Sequence, residues 1–388
     1  MSKSENLPAH LTRRSWMVLA ASAVTAGCGG GGTTGIAGLP GTGGTGVFAQ
    51  GVISGFGSVI INAIKFDDTL AAVLLDGQSA TSADLRLGMV ASVQGQRGSD
   101  VTLGTASSIE VWSIGQGIVS AGRATPGSSG QITLSGMTVL TDLNTVFEGS
   151  SATLPVLSGQ RVAVWGLQTA TDARTWSATR VAVVSSPTVV STGLVNVVNS
   201  QRSVNGLVLS GDAARALAAG DLVRVRGTLS SIDGSLALQS VQYPAAPSTS
   251  AQQGEAEIEG WVTNVATNGR FNLGSVVVDA SQAVFDPASA RVAAGSRVEV
   301  SGVWQSGGLK ATKVQIQNVQ EIETVEISGR IQEFSSLANF VVRGQPCDAS
   351  GLSVVGNGKT SDLKLGVSVK LTGTKAGDVL KVTKLELA

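Results

Sequence analysis

Histidine is almost absent from this chain, because the only one among its 388 residues is His10. That residue lies in a segment with the features of a cleaved export signal, so the processed protein would have no histidine. This excludes Ser/His/Asp and Cys/His nucleophilic sites, histidine general bases, and nearly every zinc, copper or non-haem iron site. Any catalysis by the processed protein would have to use carboxylate or amine groups.

Charge and aromatic side chains are also scarce. Charged residues make up 14% of the chain, against about 25% in an average soluble protein. The formal net charge is zero, and the aromatic residues are eight Phe, six Trp and one Tyr. This composition argues against a coiled coil, a nucleic-acid-binding protein and a disordered acidic tail. Cys28 and Cys347 lie at opposite ends of the chain, a spacing that gives poor support for a disulfide.

The N-terminal residues have the three-part pattern of a secretory signal. Residues 1–27 contain Arg13 and Arg14, then an apolar run of about ten residues, then small residues before Cys28. The run has roughly half the length that a membrane-spanning helix needs. Arg13 and Arg14 resemble a twin-arginine signal, and Cys28 resembles a lipidated cysteine. The alternative is ordinary export with cleavage elsewhere.

The Gly- and Thr-rich residues 28–46 then predict a flexible tether, because they cannot bury enough apolar surface to become ordered. Gly29 after the cysteine is typical of lipoproteins sorted to the outer membrane. We therefore expect a protein of the cell envelope, held by a lipid anchor and facing the periplasm or the surface.

A pair of glycines seven residues apart recurs along the rest of the chain. Its five instances are Gly88-MVASVQ-Gly95, Gly159-QRVAVW-Gly166, Gly220-DLVRVR-Gly227, Gly295-SRVEVS-Gly302 and Gly366-VSVKLT-Gly373. Apolar residues three and five positions after the first glycine give the period of two of a half-buried strand. Each pair has a further apolar strand-like segment on either side.

This spacing predicts an all-β fold of about five small OB-like barrels in tandem. Asp212 to Ala219 is a candidate helix in the third copy, which is short enough to have lost a strand. Short connections predict a semi-rigid rod. The predicted units are residues 47–113, 114–186, 187–244, a linker at 245–255, then 256–319 and 320–388.

The first copy also resembles a known family. The residues that carry the resemblance are Gly55-Phe56-Gly57-Ser58-Val59-Ile60-Ile61-Asn62, Phe66-Asp67, Asp76-Gly77 and the stretch from Ser82 to Val90. They are similar to a repeat in bacterial envelope proteins, family five-six-six-six of the domains of unknown function. The resemblance is closest over residues 51–112 and looser in the other copies. It implies an exported, OB-like tandem repeat, and it supplies no catalytic residue.

Three candidate sites follow from the residues themselves. Positions four and six after the first glycine vary between copies, as in Ala163/Trp165 and Arg224/Arg226, and we expect them to form solvated surface. Arg224 and Arg226 could alternatively hold an anion.

Glu255, Glu257 and Glu259 alternate along one predicted strand, so their carboxylates would share a face. They could bind Ca²⁺. Alternatively, they protect an exposed sheet edge from aggregation.

Trp261 and Trp304 in the fourth copy are candidates for a sugar-stacking patch. Taken together, the sequence favours a non-enzymatic envelope lipoprotein that acts as a binding or scaffolding module. We expect no cofactor and no nucleic-acid partner; an envelope protein or a cell-wall glycan is the expected partner. The alternative is a glycan- or calcium-binding protein.

Overall fold

The fold is known from a computed structural model, which describes residues 46–149, 155–169, 174–243, 254–305, 307–317, 324–352, 356, 358–376 and 378–387. The predicted signal, with Arg13 and Arg14, and the predicted lipid site Cys28 lie outside the described residues. The described residues are nearly all β, which confirms the predicted fold class. Residues Gly43–Ala388 form one compact unit.

The strands fall into five groups along the chain. Group 1 contains β1 (Gly46–Val52), β2 (Gly55–Phe56), β3 (Val59–Ile61), β4 (Ile64–Asp67), β5 (Ala72–Leu75), β6 (Gln78–Ala80), β7 (Val90–Arg97) and β8 (Leu103–Val111). Group 2 contains β9 (Gly115–Ala124), β10 (Gly130–Leu134), β11 (Met137–Thr141), β12 (Val146–Glu148), β13 (Val156–Leu157), β14 (Arg161–Gln168) and β15 (Thr175–Val183). Group 3 contains β16 (Val189–Val198), β17 (Gln201–Val204), β18 (Leu207–Ser210), the short helix α1 (Asp212–Arg215), β19 (Leu222–Leu229) and β20 (Leu236–Gln242).

Group 4 contains β21 (Glu255–Val265), β22 (Arg270–Leu273), β23 (Val276–Asp279), β24 (Val284–Asp286), β25 (Arg297–Gln305) and β26 (Gly308–Ile316). Group 5 contains β27 (Thr324–Ser336), β28 (Asn339–Val342), β29 (Gln345–Asp348), β30 (Ser368–Ala376) and β31 (Val379–Leu387). Single 3-10 turns lie at Ser82–Asp84 and Thr360–Asp362. Glu255, which the sequence places in a linker, is the first residue of β21.

The strands of group 2 close into a ring. β9 pairs with β10, β10 with β11, β11 in parallel with β15, β15 with β14, and β14 with β9. The other groups repeat this order, with β1 and β2 together taking the place of the first strand in group 1. A ring with one parallel pairing is the small OB-like barrel that the sequence predicts.

The two glycines of each recurring pair are required for different structural reasons. The first, for example Gly159 with a φ of +92°, lies in the left-handed region that favours glycine. The second, for example Gly166, lies at a β-bulge between Trp165 and Gly166. A Cβ on Gly166 would lie 2.3 Å from the backbone oxygen of Ser177 on the neighbouring strand. Any larger residue there would force the two strands apart.

The groups pack against one another and do not form the predicted rod. β1 of group 1 pairs in parallel with β21 of group 4, and β2 pairs in parallel with β27 of group 5. β9 of group 2 pairs with β16 of group 3. The rod prediction is wrong because it considered only neighbours in sequence, whereas the first group pairs with strands about 200 to 270 residues away.

β1 belongs to two barrels at once. Val47 and Ala49 lie in the apolar core that groups 1 and 5 share, whereas Phe48 lies in the core of group 4. Because side chains alternate along a strand, a single strand can fill two cores that lie on opposite faces of the sheet. The apolar core divides into four clusters, one of which spans groups 1 and 5 and also takes in outward-facing residues of group 2, so the count of five repeats stays a prediction.

In the described part of the chain, no helix is long and apolar enough to cross a membrane.

Candidate functional site

Three of the outward-facing residues, which we expected to be solvated, are buried between the groups. Ala163 and Trp165 of β14 point away from their own barrel, and both lie in the apolar cluster of groups 1 and 5. Arg224 of β19 is only 4% exposed. The prediction of solvated surface is therefore wrong at these positions, since these faces meet other barrels.

A pocket of about 390 Å³ lies where groups 1 to 4 meet, and we call it the junction pocket. Its volume is within the usual range for small-molecule sites, about 300–1,000 Å³. Its aromatic lining residues are Trp112, Trp176, Trp261 and Tyr243. Its main polar lining residues are Gln50, Ser92, Glu110, Ser113, Gln168, Thr192, Arg224, Gln242, Glu259 and Ser275. Apolar side chains fill the rest, namely Val90, Ile114, Leu167, Leu222, Ile258, Leu273 and Val276.

Arg224 holds one wall of the junction pocket in place. Its guanidinium donates to Asp76 at 2.7 Å, to the Gln242 side chain at 2.7 Å, and to the backbone oxygen and the hydroxyl of Ser113 at 2.6 and 2.9 Å. It also lies over the Trp112 ring, 5.1 Å from the ring centroid. Burial lowers the pKa of Arg224, and the Asp76 carboxylate opposes that shift. These bonds join group 3 to group 1 and use four of the five N–H donors.

Glu259 of β21 also lines the junction pocket, and both of its carboxylate oxygens are engaged. One of its oxygens accepts from Arg297 at 2.8 Å, and the other accepts from the backbone N–H of Val52 at 3.0 Å. The Glu110 carboxylate differs, because it has no hydrogen-bond or ion-pair partner among the residues that the structure describes. The pocket therefore presents one carboxylate that is available to a ligand.

The three glutamates of the predicted calcium site lie on one face of β21, as their spacing requires. Arg97 pairs with Glu255 at 3.0 Å and with Glu257 at 2.8 Å, and Arg297 pairs with Glu259. A guanidinium group on each carboxylate offsets the negative charge that a Ca²⁺ ion would need. Among the described residues, no group of three His, Cys, Asp or Glu is arranged to hold a metal ion.

β21 is also not an edge strand, since it pairs with β1 on one side and with β25 on the other. Next to it on β25, Glu299 is packed close to the carboxylates of Glu257 and Glu259. Burial, together with these two charges, raises the pKa of Glu299 to about 7, and Lys313 opposes the shift.

The two tryptophans of the predicted stacking patch lie in different surroundings. Trp261 is half-buried and lines the junction pocket. Trp304 is 7% exposed, belongs to the core of group 4, and does not line this pocket.

Trp112 and Glu110 were not predicted as site residues, and neither were the three glutamines that line the pocket. The sequence does contain one signal. The outward position that is Arg224 in one copy is Ser in another, and the same is true of the outward position that is Trp165. Such a change of side chain argues against a face that is solvated in every copy.

The comparisons with known proteins support the family but not an activity. The family model described as Domain of unknown function (DUF5666) matches residues 116–182 and 259–315. These are the segments of groups 2 and 4, whereas the sequence resemblance was placed most closely on residues 51–112. A search of curated proteins found no match. Two segments of this chain thus match the DUF5666 model, which is consistent with a protein that contains repeats of that family.

Proposed function

We propose that this protein is a non-enzymatic binding protein of the bacterial cell envelope, and that it takes a small ligand in the junction pocket. The observation that carries the proposal is the pocket itself. Four strand groups contribute to one concave site of about 390 Å³, which is lined by aromatic rings and by a few polar side chains. Sites of this composition, at boundaries between domains, are where small ligands bind.

Binding without catalysis is favoured by the state of the polar groups. Both oxygens of Glu259 are engaged by Arg297 and Val52, so this residue is poorly placed to exchange a proton with a ligand. The only histidine of the whole chain is His10, in the predicted signal. A single available carboxylate, Glu110, does not form the facing pair that glycoside hydrolysis requires.

A scaffolding role receives less support. In a scaffold, the outward faces of the barrels would be available to partners. Here Ala163, Trp165 and Arg224 make contacts within the chain instead.

The pocket is tested with Nile red, an uncharged dye that fluoresces strongly in an apolar site. Ser92 lines the pocket from β7, and Ser92→Trp would fill it. Ser108, on the neighbouring strand β8, is also half-buried but does not line the pocket, so Ser108→Trp is the matched control. We expect wild type and Ser108→Trp to bind the dye, and Ser92→Trp, once shown to be folded by circular dichroism, to lose it. Equal binding by all three proteins would refute a site at this position.

The envelope location is tested separately, by intact mass and membrane fractionation of the full chain in a Gram-negative host. We expect a product that begins at Cys28 and carries acyl chains, and we expect Cys28→Ala to abolish both the acyl mass and the membrane association. A soluble product without acyl chains from both proteins would refute the lipid anchor and leave the pocket proposal intact.

A further inference from the structure

We infer that the ligand of the junction pocket is an uncharged saccharide, which stacks on Trp261 and Trp112 and hydrogen-bonds to Glu110, Gln50 and Gln242. This inference rests on the proposed binding function and specifies its ligand class. Its basis is the chemistry of the groups that the pocket leaves available to a ligand.

Trp261 and Trp112 are the two aromatic platforms. Both are half-buried, both line the pocket, and neither belongs to one of the four apolar core clusters. A large ring that is not used for core packing keeps apolar area available to a ligand. The Arg224 guanidinium lies over Trp112 and fixes the position of that ring before a ligand arrives. The apolar C–H face of a sugar ring packs well on such a rigid, flat surface.

The available polar groups are of both kinds. The Glu110 carboxylate only accepts hydrogen bonds, whereas the Gln50 side-chain amide both donates and accepts. Gln242 accepts from Arg224 through its oxygen, which leaves its NH₂ group as a donor. One N–H on Nη1 of Arg224 is also left. A sugar hydroxyl is a donor and an acceptor at once, so adjacent hydroxyls can satisfy this mixed set.

Other ligand classes fit the same groups less well. An apolar ligand would bury the Glu110 carboxylate and the Gln50 side-chain amide without partners, which costs free energy. An anion would lie beside Glu110 and Glu259, and the charge of Arg224 is already balanced by Asp76. A quaternary ammonium ion could use the aromatic rings and Glu110, but it would leave the donors of Gln242 and Arg224 unsatisfied.

The test is a glycan microarray followed by isothermal titration calorimetry with the highest-ranked saccharide, using the full chain. Choline chloride and Nile red are titrated in parallel. Trp261→Leu removes one platform, and Trp304→Leu is its control, because Trp304 is in the same group but outside the pocket. If Trp304→Leu does not fold, Trp304→Phe takes its place. Glu110→Gln removes the acceptor charge, and Glu333→Gln, on an exposed position of β27, is its control.

We expect the Kd for the saccharide to rise about tenfold in Trp261→Leu and about tenfold in Glu110→Gln. The two controls should bind like wild type, and the saccharide should be recovered intact. Absence of any Trp261-dependent saccharide signal would overturn the inference. If Nile red still binds to wild type and not to Ser92→Trp, the proposed binding function survives that result. If neither a saccharide nor Nile red binds, both the saccharide inference and the proposed binding function are refuted. Tighter binding of choline, or cleavage of the saccharide, would also overturn it.

Discussion

Arg224 shows how one charged side chain can connect two barrels. It lies on the outward face of β19, yet its guanidinium is buried against Asp76 and Ser113 of the first strand group and its linker. A buried charge is stable only when it has partners, so removing the arginine leaves Asp76 without its counter-charge.

We therefore expect Arg224→Met to lower the free energy of unfolding by about 3 kcal/mol. Arg226 is two residues further on the same strand and is half-exposed, and its side chain makes no hydrogen bond to the described residues. Arg226→Met should therefore change the free energy of unfolding by less than about 0.5 kcal/mol. Urea denaturation of the three proteins measures both values. Similar losses in the two variants would show that the contact with Asp76 contributes little.

Glu299 is expected to make stability depend on pH in an unusual direction. Its pKa is about 7 in the folded protein, against the ordinary value of 4.5 in the unfolded chain. Between these values the folded state binds more protons, so this group makes the protein less stable as pH rises from about 4.5 to 7.

Glu299→Gln should therefore raise the free energy of unfolding at pH 8 and leave it unchanged at pH 4. The shift itself corresponds to about 3 kcal/mol at most, and partial exposure of the side chain reduces our expectation to about 1–2 kcal/mol. Urea denaturation at both pH values measures the difference. Glu333→Gln, at an exposed position, should show no such pH dependence, and a gain for Glu299→Gln at pH 4 would contradict the assignment.

At the scale of the element, β1 has the most unusual role, because it supplies side chains to two apolar cores. Phe48 is 5% exposed and packs with Ile258, Val300 and other residues of group 4. The neighbours of Phe48 along the chain, Val47 and Ala49, pack into the cluster of groups 1 and 5. The core of group 4 is thus incomplete without a residue that comes about 200 positions earlier.

We expect Phe48→Ala to destabilise the protein by about 3–4 kcal/mol. Amide hydrogen exchange should become faster in β21 to β26 of group 4. Phe66→Ala, which removes a ring of the same size from the cluster of groups 1 and 5, should instead accelerate exchange in those groups. Identical exchange patterns in the two variants would contradict a division of β1 between two cores.

At the scale of the whole molecule, contacts distant in sequence make Gly43–Ala388 one compact unit. For a compact chain of this length we expect a radius of gyration of roughly 20 Å. Small-angle X-ray scattering on the protein that begins at Gly43 measures it. An extended rod of barrels would have a much larger value, and that result would refute the pairing of β1 with β21 and of β2 with β27.

The all-β fold, the OB-like barrel type and the places of the glycines could be predicted from the sequence alone. These features depend on contacts within about 70 residues. Alternating Val223 and Val225 fix which face of β19 is inward, and Gly227 permits the bulge that closes the ring. Local periodicity and backbone sterics determine such features, and both can be recognised in a single sequence.

The surroundings of the outward faces, by contrast, became visible only in the folded protein. Some outward side chains have both an apolar and a polar part and could equally well lie in water or against another barrel, as do those of Trp165, Arg224 and Trp261. Trp165 lies in the apolar cluster of groups 1 and 5, Arg224 pairs with Asp76 of group 1, and Trp261 lines a pocket together with residues of groups 1 to 3. No periodicity in the sequence records which barrels meet. The junction pocket exists only because these barrels meet, since its walls belong to four strand groups. The separation of those groups along the chain does not tell how close they lie in space, so the pocket could not be predicted from the sequence.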